Sequence, residues 1–215
     1  MSTLQINGNQ LHLLPEKAIY WVEESALILS DVHLGKSGHF RKNGIAIPAM
    51  ANQNNHWRMV EVIEKTNPKT LVFLGDLSHS EENSEWDDFV DFMMQFPEMR
   101  KILVKGNHDI LSEKRYLDCG IEVVDSWRKN GLRWEHEHID DGDDDYQISG
   151  HIHPGIRLKG GAKQSLVLPC FYFSKKNAII PAFGEFTGLA ILKPKREDRI
   201  WVIADRKVQE INLSI

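Results

Sequence analysis

Short runs that are apolar at every position, each closing on a small polar cluster, constrain this chain more than any other feature. Ala26-Leu27-Ile28-Leu29, the stretch from Thr70 to Leu74 and the stretch from Lys101 to Val104 lack the polar alternation of a half-exposed strand. Each is therefore expected to be covered on both faces, as parallel strands are. Two segments of helical periodicity separate them. The first runs from Pro48 to Lys65, with Trp57, Val60, Glu61 and Ile63/Glu64 at 3–4 spacing and Asn67-Pro68 as its stop. The second runs from Ser84 to Phe96 and gathers Trp86, Phe89, Val90 and Met93 on one face. Its acidic first turn complements the helix dipole, and Pro97 ends it. Strand and helix in alternation predict an α/β fold.

The flanks of this unit read as strands. Before it come Leu4 and Ile6, Leu11 and Leu13, Ile19–Val22 and Ala26–Leu29, separated by Asn-Gly, Pro-Glu and Glu-Glu-Ser. After it the spacing predicts strands over 121–124, 132–135, 146–149, 165–168, 171–173, 178–180, 189–192, 200–204 and 208–211, with few helices between. There is no internal repeat and no linker. A chain of 215 residues is expected to form one domain, 1–215, around one main core.

The polar clusters fall at matching places. Asp31-Val32-His33 follows the first covered strand and Gly75-Asp76 the second. Gly106-Asn107-His108-Asp109 follows the third, His136 follows the strand at 132–135, and Gly150-His151-Ile152-His153 follows the strand at 146–149. Ligands of open α/β sheets bind at the strand C-termini, so one rim is expected to collect these carboxylates, an amide and the histidines. Carboxylate, amide oxygen and imidazole are donors for Mn, Fe or Zn, and the absence of thiolate argues against a structural zinc cluster. Asp31 and His33, and His151 and His153, stand two apart; on an extended backbone each pair points to one face. The glycines before Asp76, Asn107 and His151 allow close approach of backbone. About seven donors exceed what one ion needs, and two divalent metals sharing a carboxylate can clamp a phosphate and activate a bridging hydroxide. Any one strand-end Asp or His is ordinarily a turn former, but five such clusters in order are hard to attribute to turns.

Composition sets limits. Lys and Arg number 26 and Asp and Glu 31, a formal net charge of −5, which disfavours a broad basic face for duplex DNA. Cys119 and Cys170 suggest no disulfide framework and fit a reducing compartment. No apolar run approaches the ~20 residues of a membrane span, and the N-terminus lacks a signal-peptide pattern, so a cytoplasmic location without membrane partners is expected.

The ordered clusters resemble the calcineurin-like metallophosphoesterases, whose motifs are D-x-H, G-D, G-N-H-[D/E], a lone His and G-H-x-H. The resemblance spans 31–153 and implies a four-layer αββα sandwich, two mixed central sheets flanked by helices. It implies two divalent ions, Mn foremost and Fe, Zn or Ni as alternatives. Asp31, His33 and His153 would hold one; Asn107, His136 and His151 the other; Asp76 would bridge. His108 would act as general acid at the leaving oxygen and Asp109 would orient it. The lone His is His136 or His138, with His136 preferred because it directly ends an apolar stretch.

Leu34-Gly35-Lys36, His39-Phe40-Arg41, 44–48, 168–171 and 181–188 are similar to bacterial DNA-ligase-associated metallophosphoesterases. That similarity implies a phosphodiesterase or endonuclease of DNA repair, working alongside a DNA ligase and a helicase-like protein on DNA ends or single strands. The alternatives are an enzyme for small nucleotides, cyclic nucleotides or phosphomonoesters, and a non-catalytic repair adaptor.

The remaining polar and aromatic residues divide as follows. Lys36, Arg41 and His79 are candidate substrate contacts, and His39 a candidate neighbour of the site. Phe171, Tyr172, Phe173, Phe183 and Phe186 could stack bases but are expected to be packing residues, and Trp57 and Trp86 core. His12 and His56 are expected at the surface or in caps. The run Asp140-Asp141-Gly142-Asp143-Asp144-Asp145 lacks the ligand order of an EF-hand and is expected to be a solvated acidic loop.

Overall fold

The computed structural model describes residues 1–34, 50–78, 84–160, 164–185 and 187–212. The first sheet has seven strands in chain order: β1 (Ser2–Ile6), β2 (Asn9–Leu14), β3 (Ala18–Trp21), β4 (Ala26–Leu29), β5 (Thr70–Leu74), β6 (Arg100–Val104) and β7 (Ile121–Val124). β1 to β4 meander antiparallel, and β4 to β7 run parallel. The parallel crossovers carry helices α1 (Met50–Thr66), α2 (Ser84–Met94) and α3 (Glu113–Asp118).

The doubly apolar runs are covered for a period-2 reason. Ala26, Ile28, Val72, Leu74, Ile102 and Val104 face one buried cluster, while Leu27, Leu29, Leu71, Phe73 and Leu103 face another. Met59, Val62 and Ile63 of α1, Trp86, Phe89, Phe92 and Met93 of α2 and Tyr116 of α3 complete the helix-side cluster. The inter-sheet cluster is completed by the second sheet: β8 (Trp127–Lys129), β9 (Leu132–Glu135), β10 (Tyr146–Ser149), β11 (Pro154–Lys159), β12 (Ser165–Phe173), β13 (Asn177–Ile179), β14 (Ala190–Ile191), β15 (Arg199–Ala204) and β16 (Lys207–Ile211). Trp21 of β3 and Trp134 of β9 meet across the sheets with ring centroids 5.7 Å apart. The core is thus divided into two large clusters on opposite faces of the first sheet. A small third cluster on the second sheet is built from Ile156, Cys170, Ile200 and Val202. Two mixed sheets with flanking helices form the expected α/β sandwich. All three described helices join the cluster on the first sheet.

Three elements were not anticipated: β8, β11 and α3. β11 begins with Pro154-Gly155, a pair that by itself signals a turn. The runs at 165–168 and 171–173 are one strand, β12, although Pro169 sits inside it. β12 changes neighbours there, pairing with β11 up to Pro169 and with β15 from Cys170, so the missing N–H falls at the handover.

The face of α1 also differs. Trp57 is 71% exposed and Met59 is fully buried. Residues two apart on a helix point about 200° apart, so with Met59 facing the sheet the row through Trp57 is the outer face. Trp86 on α2, at 4% exposure, is core as expected. The two tryptophans should therefore separate in a denaturant titration. Trp86→Ala is expected to cost about 3–5 kcal/mol, and Trp57→Ala less than about 0.5 kcal/mol.

Candidate metal centre

The rim is made by loops that leave β4, β5, β6, β9 and β10 at their C-terminal ends. The loops after β4 and β5 travel side by side. Asp31 N–H donates to Gly75 O (3.1 Å), His33 N–H to Asp76 O (2.9 Å) and Leu34 N–H to Leu77 O (2.8 Å). The ladder resumes as a parallel bridge between Leu34 and Ser78. Within this span the backbone is not extended. Asp31 (φ 52°), His33 (51°), Asp76 (49°), His151 (63°) and His153 (52°) all occupy the left-handed region. Each non-glycine residue held there costs on the order of 1–3 kcal/mol, and such strain concentrates at functional sites. Convergence of Asp31 with His33, and of His151 with His153, thus comes from two left-handed residues flanking a third. It does not come from the extended geometry read in the sequence.

The glycines work by proximity, as expected. A Cβ on Gly75 would lie 2.1 Å from the His136 ring, one on Gly106 2.4 Å from Asp76 Oδ1, and one on Gly150 2.6 Å from Asp31 Oδ2. Any larger residue would occupy the space of a site side chain.

Two groups of donors result: Asp31, His33 and His153, and Asp76, His136 and His151. In each group the donor atoms lie within 4.8 Å of one another. Asp76 faces both. Its Oδ2 is 3.9 Å from His33 Nε2, and its Oδ1 is 3.3 Å from His136 Nε2. Asn107 joins the second group, with Oδ1 3.0 Å from His136 Nε2. His136, buried, is the histidine brought into the centre, whereas His138 is exposed.

The second group is not a set of satisfied hydrogen bonds. His136 Nδ1 lies 3.2 Å from Leu74 O, which can only accept, so the ring proton belongs on Nδ1 and Nε2 presents its lone pair. That lone pair has Asn107 Oδ1, His151 Nδ1 (3.1 Å) and Asp76 Oδ1 around it, and it can accept one hydrogen bond. The carboxylate oxygen has no proton to offer. In the first group, Asp31 Oδ1 and His153 Nε2 are buried 3.2 Å apart without hydrogen-bond geometry. Converging buried lone pairs are stabilised by a cation, and the N/O donor set suits a divalent transition ion. The residues present fit a pair of such ions.

The supporting groups fix orientation. Ser30 Oγ donates to Asp31 Oδ2 (2.5 Å), which also accepts His151 N–H (3.0 Å), so Oδ1 is left turned towards His153. Burial raises the Asp31 pKa, but the approach of His153 and the Ser30 hydroxyl outweigh it and hold the carboxyl below its ordinary range. Asp109 moves the other way. Burial pushes it up, reinforced by the nearby Asp76 charge, against the pull of two N–H donors, Gly106 (2.9 Å) and Ser78 (3.1 Å). The bond from Ser78 ties the β6 loop to the β5 loop, and the bond from Gly106 closes the β6 loop on itself. His108 is exposed beside His33, ring centroids 5.7 Å apart, and its N–H donates to Asp76 Oδ1 (2.9 Å).

Ser30, Ser78 and Tyr116, whose hydroxyl lies 3.3 Å from Ser78 Oγ, were not singled out in the sequence. For Ser30 the available signal was its place between a covered strand and Asp31; Tyr116 came with a helix that was missed. Lys36, His39, Arg41, His79 and Phe186 lie outside the described residues. Phe171, Phe173 and Phe183 are buried packing residues, as expected. The acidic loop is more tethered than a solvated loop. Arg133, itself buried, pairs with Glu135 and Asp141, both at 2.7 Å, and Arg128 pairs with Asp143.

Residues 25–138 match the calcineurin-like phosphoesterase family. No curated protein matches the chain. Among solved structures it is similar to the nuclease MPE of Pseudomonas putida, with 27% identity and a TM-score of 0.82, covering 98% of this chain and 99% of that one. It also aligns with Yfce, a phosphoesterase from E. coli, at 12% identity and a TM-score of 0.42, over 88% and 99% of the two chains. The family match extends from β4 through His136 and so takes in four of the five rim clusters. Members of this family use a dinuclear divalent metal centre. The chain belongs to the calcineurin-like phosphoesterases and is a phosphoester hydrolase.

Proposed function

We propose that residues 1–215 form a single metallophosphoesterase domain that acts as a nuclease-like phosphodiesterase on single strands or broken ends of DNA. The observation that carries the chemistry is the Asp76 carboxylate, 3.9 Å from His33 on one side and 3.3 Å from His136 on the other. Likeness over nearly the whole chain to a nuclease supports the substrate class. Asp31, His33 and His153 hold one cation, Asn107, His136 and His151 the second, and Asp76 both. Manganese is the proposed metal, given nitrogen and oxygen donors without thiolate. When bound, the cations supply positive charge for the phosphate oxygens and lower the pKa of the attacking water. The Leu74 carbonyl keeps the His136 proton on Nδ1, away from the metal-facing nitrogen. The His108 imidazole, exposed at the mouth, delivers a proton to the leaving oxygen. Lys36, Arg41 and His79 are assigned to the phosphate from sequence alone. The similarity to ligase-associated enzymes supports work beside a DNA ligase and a helicase-like protein. Two free, buried cysteines favour the reducing cytoplasm. Among the described residues no helix is long and apolar enough to cross a membrane.

The net charge of −5 favours a second reading, a small phosphodiester or nucleotide as substrate. A metal-supplemented panel separates the two: single-stranded DNA, a cyclic nucleotide, a small aromatic phosphodiester and its monoester, with metal content measured on the same sample. Cleavage of single-stranded DNA with manganese is expected. Hydrolysis confined to the cyclic nucleotide or the monoester overturns the nuclease reading.

Asp76→Ala should lose metal from both positions and reduce hydrolysis of the small diester by more than about 100-fold, while circular dichroism stays that of a folded chain. Full activity in this variant would sink the assignment. Asp109→Asn sets an NH2 group against one of two backbone N–H donors. It is expected to cost about 1–3 kcal/mol in a thermal or urea melt.

A further inference from the structure

We infer that a groove beside the metal centre, floored by α1 and holding Trp57, is a subsite for an unpaired nucleotide of the same strand that is cut. The inference rests on the nuclease reading above.

The groove lies at the rim of the metal centre. Ala18 pairs with Leu14 and Ile19 with Ile28, so the turn over 15–17 stands level with Ser30-Asp31. β15 runs in the same direction as β10, through β12 and β13, so its turn at Asp205-Arg206 projects past the same end of the sheets. These two turns and the outer face of α1 enclose the groove. β2 is two strands from β4, about 10 Å at ordinary strand spacing. The segment after β13 joins the two places. Phe183 N–H donates to Ser30 O (2.7 Å) and Gly184 N–H to Asp31 O (3.0 Å). The next residue, Glu185, pairs with Arg58 in the groove (3.6 Å).

The lining suits a nucleotide. Trp57 is a large aromatic that contributes nothing to the core, and at 71% exposure it offers its ring to the groove. Unpaired bases stack on such rings without sequence preference. Arg58 is anchored, its guanidinium 4.3 Å over the Phe183 ring and its charge set against Glu185. Lys65 is matched by Glu16 at 2.8 Å. Arg206 is exposed and has no ion-pair partner among the described residues. Lys17, in the adjoining turn, is partly desolvated beside Arg58, which brings its pKa down to about 8 against the opposing pull of Glu185. An incoming phosphate would relieve both cations. Glu61 makes no close ion pair among the described residues, but its charge also acts on Arg58. The three cations of the lining are matched in number by Glu16, Glu61 and Glu185, with Lys17 added from the adjoining turn. The groove therefore offers stacking more than a phosphate track, which fits a single strand and not a duplex tracked by its phosphates.

The test compares the manganese-loaded enzyme with Trp57→Ala, Trp57→Phe and Arg206→Ala on a single-stranded oligonucleotide and on a small aromatic phosphodiester. In Trp57→Ala the KM for the oligonucleotide should rise about tenfold. The ratio of kcat/KM for oligonucleotide over small diester should fall by a similar factor. Trp57→Phe should recover most of the ratio, and Arg206→Ala should lower it in a salt-dependent way. A ratio unchanged in Trp57→Ala, with oligonucleotides cut normally by the parent protein, overturns the subsite alone. A parent protein that hydrolyses the small diester and no oligonucleotide overturns the nuclease reading and the subsite with it.

Discussion

The structure depends on converging lone pairs that outnumber the protons available to separate them. Asp76 Oδ1, Asn107 Oδ1 and His151 Nδ1 all stand within 3.3 Å of His136 Nε2, and the ring proton of His136 is committed to Leu74 O on its far side. Such crowding of acceptors is unfavourable without a counter-charge. It is held because each donor sits on a loop anchored to a buried strand, and a bound cation would reverse the sign of the interaction. Asp76 extends this logic to both groups, since its Oδ2 faces His33 and its Oδ1 faces His136.

Holding the donors there requires backbone that few residues adopt willingly. Asp31, His33, Asp76, His151 and His153 are all left-handed. The covered strands β4, β5 and β6 offset this strain, with apolar residues packed on both faces immediately before the loops turn. The parallel bridge at Leu34 and Ser78 closes the span again, so Asp31, His33 and Asp76 are bounded by ladder on both sides. Ser30, Ser78 and the carboxylate of Asp109 then cross-brace neighbouring loops. The rim is cross-braced where donors converge, and His108 alone among the catalytic candidates stands out in solvent.

Much of this was legible because burial on both faces leaves a plain mark. The runs at 26–29, 70–74 and 101–104 could only be covered strands, and polar residues directly after them could only lie at one rim. α2 was readable because Trp86, Phe89 and Met93 share a single apolar row. α1 was not, since Trp57 and Met59 head competing rows and only the sheet beneath chooses between them. β11 and β12 were obscured by Pro154, Gly155 and Pro169, whose local preferences are for turns. A strand that changes neighbours at a proline has no signature in one sequence, because the partner that tolerates it is distant in the chain.

The amino-acid sequence by itself determined the alternation of strand and helix, the order of the donor clusters and the kind of ion those donors favour. These are properties of residue type and spacing along one chain. Tertiary structure decided that His136 enters the centre while His138 stays outside, and that paired donors converge through left-handed backbone. It also decided that Trp57 faces a groove beside the site. Each of these depends on what lies opposite a side chain once two sheets have packed, and spacing along the chain carries no record of that.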